Sequence, residues 1–199
     1  MFERQSPVNS ASCQTGRNAP DGQRRLQLGE MRGWNLIQVA GFAANEHELP
    51  KALQPLLSVD LPTRVGSAVT AAERLLMKIG PHMFWVITPE SEDLVASLRE
   101  VVAPATGSVT PLSNSRHRLF IMGPQAWHVL STDIPLDLHP AVFAVHNFAL
   151  TSLHHTPIVV HRSATDRYEL YPLRSFAQWT WEWLTDVAHQ FGYDILRPA

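Results

Sequence analysis

Residues 115–143 read "SRHRLFIMGPQAWHVLSTDIPLDLHPAVF". Leu119 and Ile121 alternate with Arg118 and Phe120 before Gly123, the period of a strand. Pro124 then opens a helix over "PQAWHVLSTD", where Ala126, Trp127 and Leu130 fall at helical spacing. Pro135 and Pro140 follow, restricting φ and biasing Ile134 and His139 away from helix. Asp133, Asp137, His139 and His146 sit in this connection and look at first like a metal or acid–base set. The prolines favour a pinned turn instead. Asp133 can cap or turn the chain at the helix end, as Asp does in Asx-turns. Asp137 stands two residues before His139, so an Asp–His hydrogen bond could brace the loop.

Outward toward the C-terminus, "HNFALTSLHH", "TPIVVHR" and "DRYELYP" read as strands. "SFAQWTWEWLTDVAHQFG" is the strongest helix in the chain. Ser175 and Gln178 have capping-box spacing, Phe176, Trp179, Trp183, Val187 and Phe191 mark one face, and Gly192 stops it. Trp181 lies about 200° around the helix from Trp179. Either this helix is buried nearly all round, or Trp181 anchors a protein interface, where tryptophan is enriched.

Outward toward the N-terminus the same pattern recurs. "WNLIQVA" (Trp34 to Ala40) is a strand closed by Gly41. Pro50 suits the first helical position of "NEHELPKALQPLL", and Pro55 limits that helix to little more than a turn or two. "ERLLMKIGPHMFWVITP" is a hairpin around Gly80-Pro81. "PESEDLVASLREVVAP" is a helix with acids in its first turn and a stripe of Leu94, Val95, Leu98, Val101 and Val102. Both halves thus read strand, helix, two or three strands, helix. The segments "IGPHMFWVIT" and "MGPQAWHVLS" look alike, but the first is an unbroken strand-like run and the second has helical spacing, so they carry little weight. The fold class is α+β: two weakly duplicated halves, antiparallel sheets with helices packed on them. Residues 1–30 form a polar N-terminal arm and 31–199 one α+β domain, with halves 31–105 and 106–199. If the arm's start is ordered, Phe2 and Val8 must pack on something.

The chain has 199 residues, 45% hydrophobic and only 17% charged, with net charge −2. It can bury a real core and is poor in solvating charge, which suggests a surface facing another chain. No basic run long enough to track phosphates occurs, which excludes nucleic-acid binding. Cys13 is the single cysteine, so there is no internal disulfide and no thiolate metal cluster. The N-terminus has no apolar signal region and no run of eighteen apolar residues spans a membrane. A cytoplasmic location is the resulting expectation.

The ten histidines lack zinc spacing. His154 and His155, read as adjacent on a strand, point to opposite faces. His155 and His161 share a face but stand roughly 20 Å apart. There is no nucleophile elbow, dinucleotide fingerprint or P-loop. Arg116, Arg118, Arg162, Arg167 and Arg174 concentrate in the second half, either as a solvated sheet rim or as partners for another subunit or a carboxylate ligand.

Three motifs in order carry a resemblance: S-R-x-R-L-x-I-x-G-P, then P-x-D-L-H-P, then R-S-F-A-x-x-x-W-E-W-L. Together they closely resemble the gamma subunit of heterotetrameric sarcosine oxidase, from about Arg24 to Gly192, and "FERQSPV" is similar to that family's start. The resemblance implies a complex with alpha, beta and delta subunits that oxidises sarcosine to glycine with hydrogen peroxide. With tetrahydrofolate, it yields methylenetetrahydrofolate. FAD, FMN, NAD, zinc and tetrahydrofolate are implied on the other subunits and none on this chain. The gamma subunit is in turn similar to a shortened aminomethyltransferase of glycine cleavage, which implies an aminomethyltransferase-like fold. In those enzymes an acidic pair precedes the strand placed here at "IVVHR". Thr156 and Pro157 stand there instead, and no carboxylate occurs between Asp137 and Asp166. A general base must lie within reach of its proton, so no independent transferase activity is expected. The role implied is structural, with Phe2, Asp137, His139, Pro140 and Trp181 as interface residues. The alternatives are a stand-alone folate-binding protein of the same fold family, or the equivalent subunit of an oxidase or dehydrogenase for another N-methylated amino acid.

Overall fold

Alternating apolar positions build two β-sheets, each with helices against one face. The computed structural model describes residues 5–9, 15–42 and 48–196. In chain order the strands and helices are β1 (Leu26–Glu30), β2 (Trp34–Gly41), α1 (Glu48–Leu57), β3 (Ala68–Ala71), β4 (Arg74–Gly80), β5 (Met83–Pro89), α2 (Leu94–Val101), β6 (Gly107–Pro111), β7 (Leu119–Met122), α3 (Ala126–Ser131), β8 (Phe148–Leu153), β9 (Thr156–Ala164), β10 (Arg167–Pro172), α4 (Ala177–Ala188) and β11 (Tyr193–Leu196). The chain divides into two compact units. Residues 33–113 form one, and residues up to 32 together with 114–199 form the other.

In the unit of residues 33–113 the sheet order is β3-β4-β5-β2-β6, antiparallel throughout. The hairpin around Gly80-Pro81 is β4 and β5, paired from Leu75↔Ile87 to Gly80↔Met83. Leu49, Leu53 and Leu57 of α1 and Leu94 and Leu98 of α2 pack over Ile37, Val39, Leu76, Phe84 and Val86. The α2 stripe is narrower than expected, since Val101 is 38% exposed. Helix α1 runs ten residues with Pro55 inside, longer than the turn or two expected. Pro55 falls in its last turn, where the missing N–H costs one bond, and three buried leucines on one face hold the helix.

In the other unit the order is β11-β1-β7-β10-β9-β8. All pairs are antiparallel except β1 with β11. Leu26, Leu28, Leu119, Ile121, Val160, Tyr168 and Leu170 form the sheet side of its core, and Ala126, Val129, Leu130, Ala177, Trp181 and Leu184 the helix side. Each such apolar side chain, fully buried, contributes about 1.5–3 kcal/mol. The residues expected as the end of a polar arm are therefore inside. Leu26 and Leu28 are 1% and 0% exposed, and β1 sits between β7 and β11. The alternation of "LQLGE" is short and follows two arginines, so its strand character shows only once two neighbours supply hydrogen bonds.

The duplication is visible in the topology. One unit reads β2-α1-β3-β4-β5-α2-β6, the other β7-α3-β8-β9-β10-α4-β11. Their sheet orders correspond position by position, with β1 inserted between β7 and β11. The dividing point falls after β6, not at residue 105, because β6 completes the sheet of β2. The look-alike segments do not correspond: one spans the β4–β5 turn and the other the step from β7 to α3.

Helix α4 is rotated from the expected setting. Ala177, Thr180, Trp181, Leu184 and Ala188 are its buried residues. Phe176 and Trp179 are 41% and 37% exposed, whereas Trp181 is 1% exposed. Trp183, Val187 and Phe191 pack at the edge of the core. Trp181 is thus a core residue and not a surface anchor. Small residues at 177 and 188 let the helix approach the sheet on that side, which the larger aromatics would prevent. The capping box is not formed either. Ser175 lies in a 3-10 turn, Arg174–Phe176, that runs into the helix. The Gln178 side chain accepts from Asn9 N–H at 2.6 Å and donates to Glu182 at 2.6 Å. Gly192 does end the helical region, with φ +68° and no room for a Cβ beside the carbonyl of Gln23.

Candidate functional site

The polar groups of the connection after α3 are engaged with the chain itself. Asp137 Oδ1 accepts the backbone N–H of His139 at 2.9 Å, and His139 Nδ1 accepts the N–H of Ala141 at 3.2 Å. The Asp137–His139 bond is therefore a local Asx-type turn made by the His139 backbone, while its imidazole binds the Ala141 N–H instead. Tyr168 Oη donates to the Leu138 carbonyl at 3.1 Å, tying β10 to the loop. Arg162 donates to the carbonyls of Pro140 and Phe143 at 2.9 and 2.7 Å. The His139 ring lies edge-on to Trp127, with centroids 4.8 Å apart.

Asp133 faces elsewhere. Its Oδ2 accepts from Trp183 Nε1 at 2.7 Å and stands 3.5 Å from His154 Nε2. His154 and His155 are not on a strand but form the turn between β8 and β9, where His154 has φ +51°. The His154 ring lies against Trp179, centroids 5.8 Å apart. His146 has φ +66° and donates its N–H to the Arg162 carbonyl at 2.7 Å. Asp133, Asp137, His139 and His146 do not converge, and the described residues contain no group of three or more His, Cys, Asp or Glu that could hold a metal. Phe2 and Cys13 lie outside the described residues.

The arginines of the second half point inward to protein partners. Arg118 donates to Glu169 Oε2 through both Nε (3.1 Å) and Nη2 (2.8 Å). Tyr171 Oη donates to the same oxygen at 2.8 Å, and His161 Nδ1 lies 3.6 Å away. Burial alone would raise the Glu169 pKa. His161 and the Arg118 charge more than offset that and hold it well below the ordinary carboxylate range. Burial pushes the Tyr171 phenol well above its usual value. Arg167 lies over the Phe120 ring, 4.3 Å from its centroid. Arg116 donates to the Tyr171 carbonyl at 3.1 Å, and Arg174 to the Gln5 carbonyl.

A second buried carboxylate closes β1. Glu30 is 4% exposed, with Arg32 at 2.7 Å and His117 Nε2 at 3.1 Å. Burial opposes its ionisation, but the close approach of His117 and the Arg32 hydrogen bond prevail and lower its pKa to about 2. Neither carboxylate stood out in the sequence. The available signal was a charge within or at the end of an apolar-patterned strand: Glu169 inside "YELY" and Glu30 after "LQLG".

In the unit of residues 33–113 a shallow cleft is lined by Leu57, Ala71, Glu73, Arg74 and Glu92. Arg74 pairs with Glu92 and donates to the carbonyls of Leu56 and Leu57 at 3.3 and 3.5 Å. It holds the C-terminal end of α1 and is committed to that role. At β9, Thr156 and Pro157 open the strand, and Thr156 pairs with Leu153.

The duplicated α+β chain, whose polar side chains brace its own loops and strands, has an aminomethyltransferase-like fold. Aminomethyltransferase T of the glycine cleavage system from Bartonella henselae shares that fold, with TM-score 0.65 at 17% identity over 94% of this chain and 56% of that one. The chain belongs to the sarcosine oxidase gamma subunit family, whose family model matches residues 39–190. Sarcosine oxidase subunit gamma of Corynebacterium sp. (strain P-1) is 33% identical over 142 residues, 71% of this chain and 70% of that one. The subunit gamma of an Arthrobacter species matches equally, 33% over 142 residues. A chain of heterotetrameric sarcosine oxidase from Corynebacterium sp. U-96, solved in complex with pyrrole 2-carboxylate, superposes with TM-score 0.81 at 27% identity, covering 94% of this chain and 96% of that one. No helix among the described residues is long and apolar enough to cross a membrane.

Proposed function

We propose that this chain is the gamma subunit of a cytoplasmic sarcosine oxidase and serves its assembly without catalytic residues of its own. The observation that carries the reading is the match of 94% of this chain to 96% of a chain from a heterotetrameric sarcosine oxidase. Its partners are alpha, beta and delta subunits. The complex oxidises sarcosine to glycine and hydrogen peroxide, and passes the methyl carbon to tetrahydrofolate when that is present. FAD, FMN, NAD, zinc and tetrahydrofolate belong to the other subunits.

The side chains of this chain support an assembly role. The two buried carboxylates among the described residues, Glu30 and Glu169, are paired with Arg32 at 2.7 Å and Arg118 at 2.8 Å, so neither is free for a substrate. Thr156 and Pro157 offer no acid or base at the start of β9. Asp137, His139 and Pro140, whose loop is exposed and internally braced, are proposed to meet a partner subunit. Co-expression with the neighbouring oxidase subunits, followed by size-exclusion chromatography, tests the reading. Co-elution of all four chains with sarcosine-dependent peroxide formation is expected. A gamma chain that elutes alone while the others form an active enzyme would overturn it.

A further inference from the structure

The two sheets have four outer edges, and they are not equally protected. An unprotected edge offers a row of unpaired N–H and C=O groups to any other strand. Strand β3 is four residues long, and β6 ends in Pro111. The outer side of β11 is closed by Arg17, which exchanges hydrogen bonds with Tyr193 at 2.8 Å in both directions. Strand β8 has none of these devices. It is six residues long, "FALTSL", with an unbroken register against β9. No Asp, Glu, Lys or Arg occurs between Asp137 and Arg162.

The backbone direction along β8 follows from its partner. Ser152 pairs with Pro157, which has no N–H, so that pair is not hydrogen-bonded. Arg162 N–H donates to the Asn147 carbonyl at 2.9 Å, which fixes the same alternation from the other end. Phe148, Leu150 and Ser152 therefore turn their N–H and C=O groups away from β9. No described residue pairs with them on that side. The neighbouring surface is apolar as well. Val142 and Leu150, 62% and 55% exposed, are the most exposed large hydrophobic residues described, and both lie in this uncharged stretch. The loop bearing Val142 is held beside the start of β8 by Arg162.

We propose that the outer edge of β8 takes up an extended, uncharged strand from another subunit of the oxidase, adding a seventh strand to the six-stranded sheet. The proposal rests on the gamma-subunit reading. Main-chain hydrogen bonds from Phe148, Leu150 and Ser152 would set its register, and the Leu150 and Val142 side chains would be covered.

Hydrogen exchange on the full-length chain, alone and in the co-expressed complex, tests it. Peptides covering residues 148–153 are expected to exchange about tenfold or more slowly in the complex. An assembled complex in which these peptides exchange as in the free chain overturns the edge proposal and leaves the subunit reading standing. Failure of any complex to form overturns both. Protection in the free chain that rises with its concentration assigns the edge to a second copy and overturns the proposal. Leu150→Pro is the matching variant, since it removes an outward N–H and no bond to β9. It should weaken assembly at least about tenfold while the chain keeps its circular dichroism spectrum. Unchanged assembly by a folded variant would count against the proposal, and a variant that does not fold leaves the exchange measurement decisive.

Discussion

The Asp133 carboxylate accepts the indole N–H of Trp183 at 2.7 Å. One residue from the proline-pinned connection thus holds the C-terminal half of α4. Trp183→Phe removes the donor and keeps the ring packing. We expect a loss of about 1.5–3 kcal/mol, the range for a hydrogen bond to a charged group, read as a lower urea midpoint with unchanged m-value. Asp133→Asn, which keeps an acceptor, should lose less. Equal stability of Trp183→Phe and the parent chain would show that the bond is idle.

Trp181 and Trp179 make a matched pair on α4, one 1% and the other 37% exposed. Trp181→Ala should cost about 3–5 kcal/mol and strip the chain of its cooperative thermal transition. Trp179→Ala, which loses the His154 ring contact, should cost less than about 1 kcal/mol. Similar melting temperatures for the two variants would contradict the rotation of α4 described above.

Glu169 is buried with Arg118, Tyr171 and His161 around it. Removing one member of such a group leaves the rest uncompensated. Arg118→Met should destabilise by about 3–5 kcal/mol, whereas Arg118→Met combined with Glu169→Gln should recover part of that loss. A double variant no better than the sum of the single variants would exclude coupling between them.

Both buried carboxylates have folded pKa values below their unfolded ones, with Glu30 lowered from 4.5 to about 2 and Glu169 lowered in the same sense. Between those values the unfolded chain binds more protons than the folded one, so stability rises with pH. Their contribution is fully present above about pH 5 and is lost as pH falls toward 2. Denaturant midpoints measured from pH 6 to pH 3 should fall steadily, and Glu30→Gln should flatten part of that slope. A parent chain equally stable at both ends would remove these groups from the account.

The Asx-type turn at Asp137 yields a separate expectation. Asp137→Ala removes the acceptor for the His139 N–H and should cost about 1 kcal/mol. His139→Ala keeps that backbone bond and loses only the imidazole contacts with Ala141 N–H and Trp127. In an assembled oxidase it should weaken the complex or the fold and leave turnover of the assembled enzyme nearly unchanged. A fall in turnover with intact assembly would give His139 a chemical role.

Periodicity carried most of the architecture. The β4–β5 hairpin, helix α2 and strands β7, β9 and β10 each express their pattern within a few neighbouring residues, and the sequence displays them. The repeated order of strands and helices was legible for the same reason, as was the proline-pinned connection, because proline restricts its own backbone whatever surrounds it. Family kinship was also legible, in three short motifs read in order.

Other features depend on what comes to lie alongside. Strand β1 exists because β7 and β11 arrive on either side of "LQLGE", from positions far along the chain. Which tryptophan of α4 is buried follows from the small residues that let one side approach the sheet, so a helix aromatic on every side could not declare its own rotation. Glu30 and Glu169 read as ordinary charges until His117, Arg118 and His161 surround them. Local backbone preference acts through neighbours in the chain and is written there. Burial, electrostatic pairing and exposed edges arise between distant segments, and only folding brings those segments together.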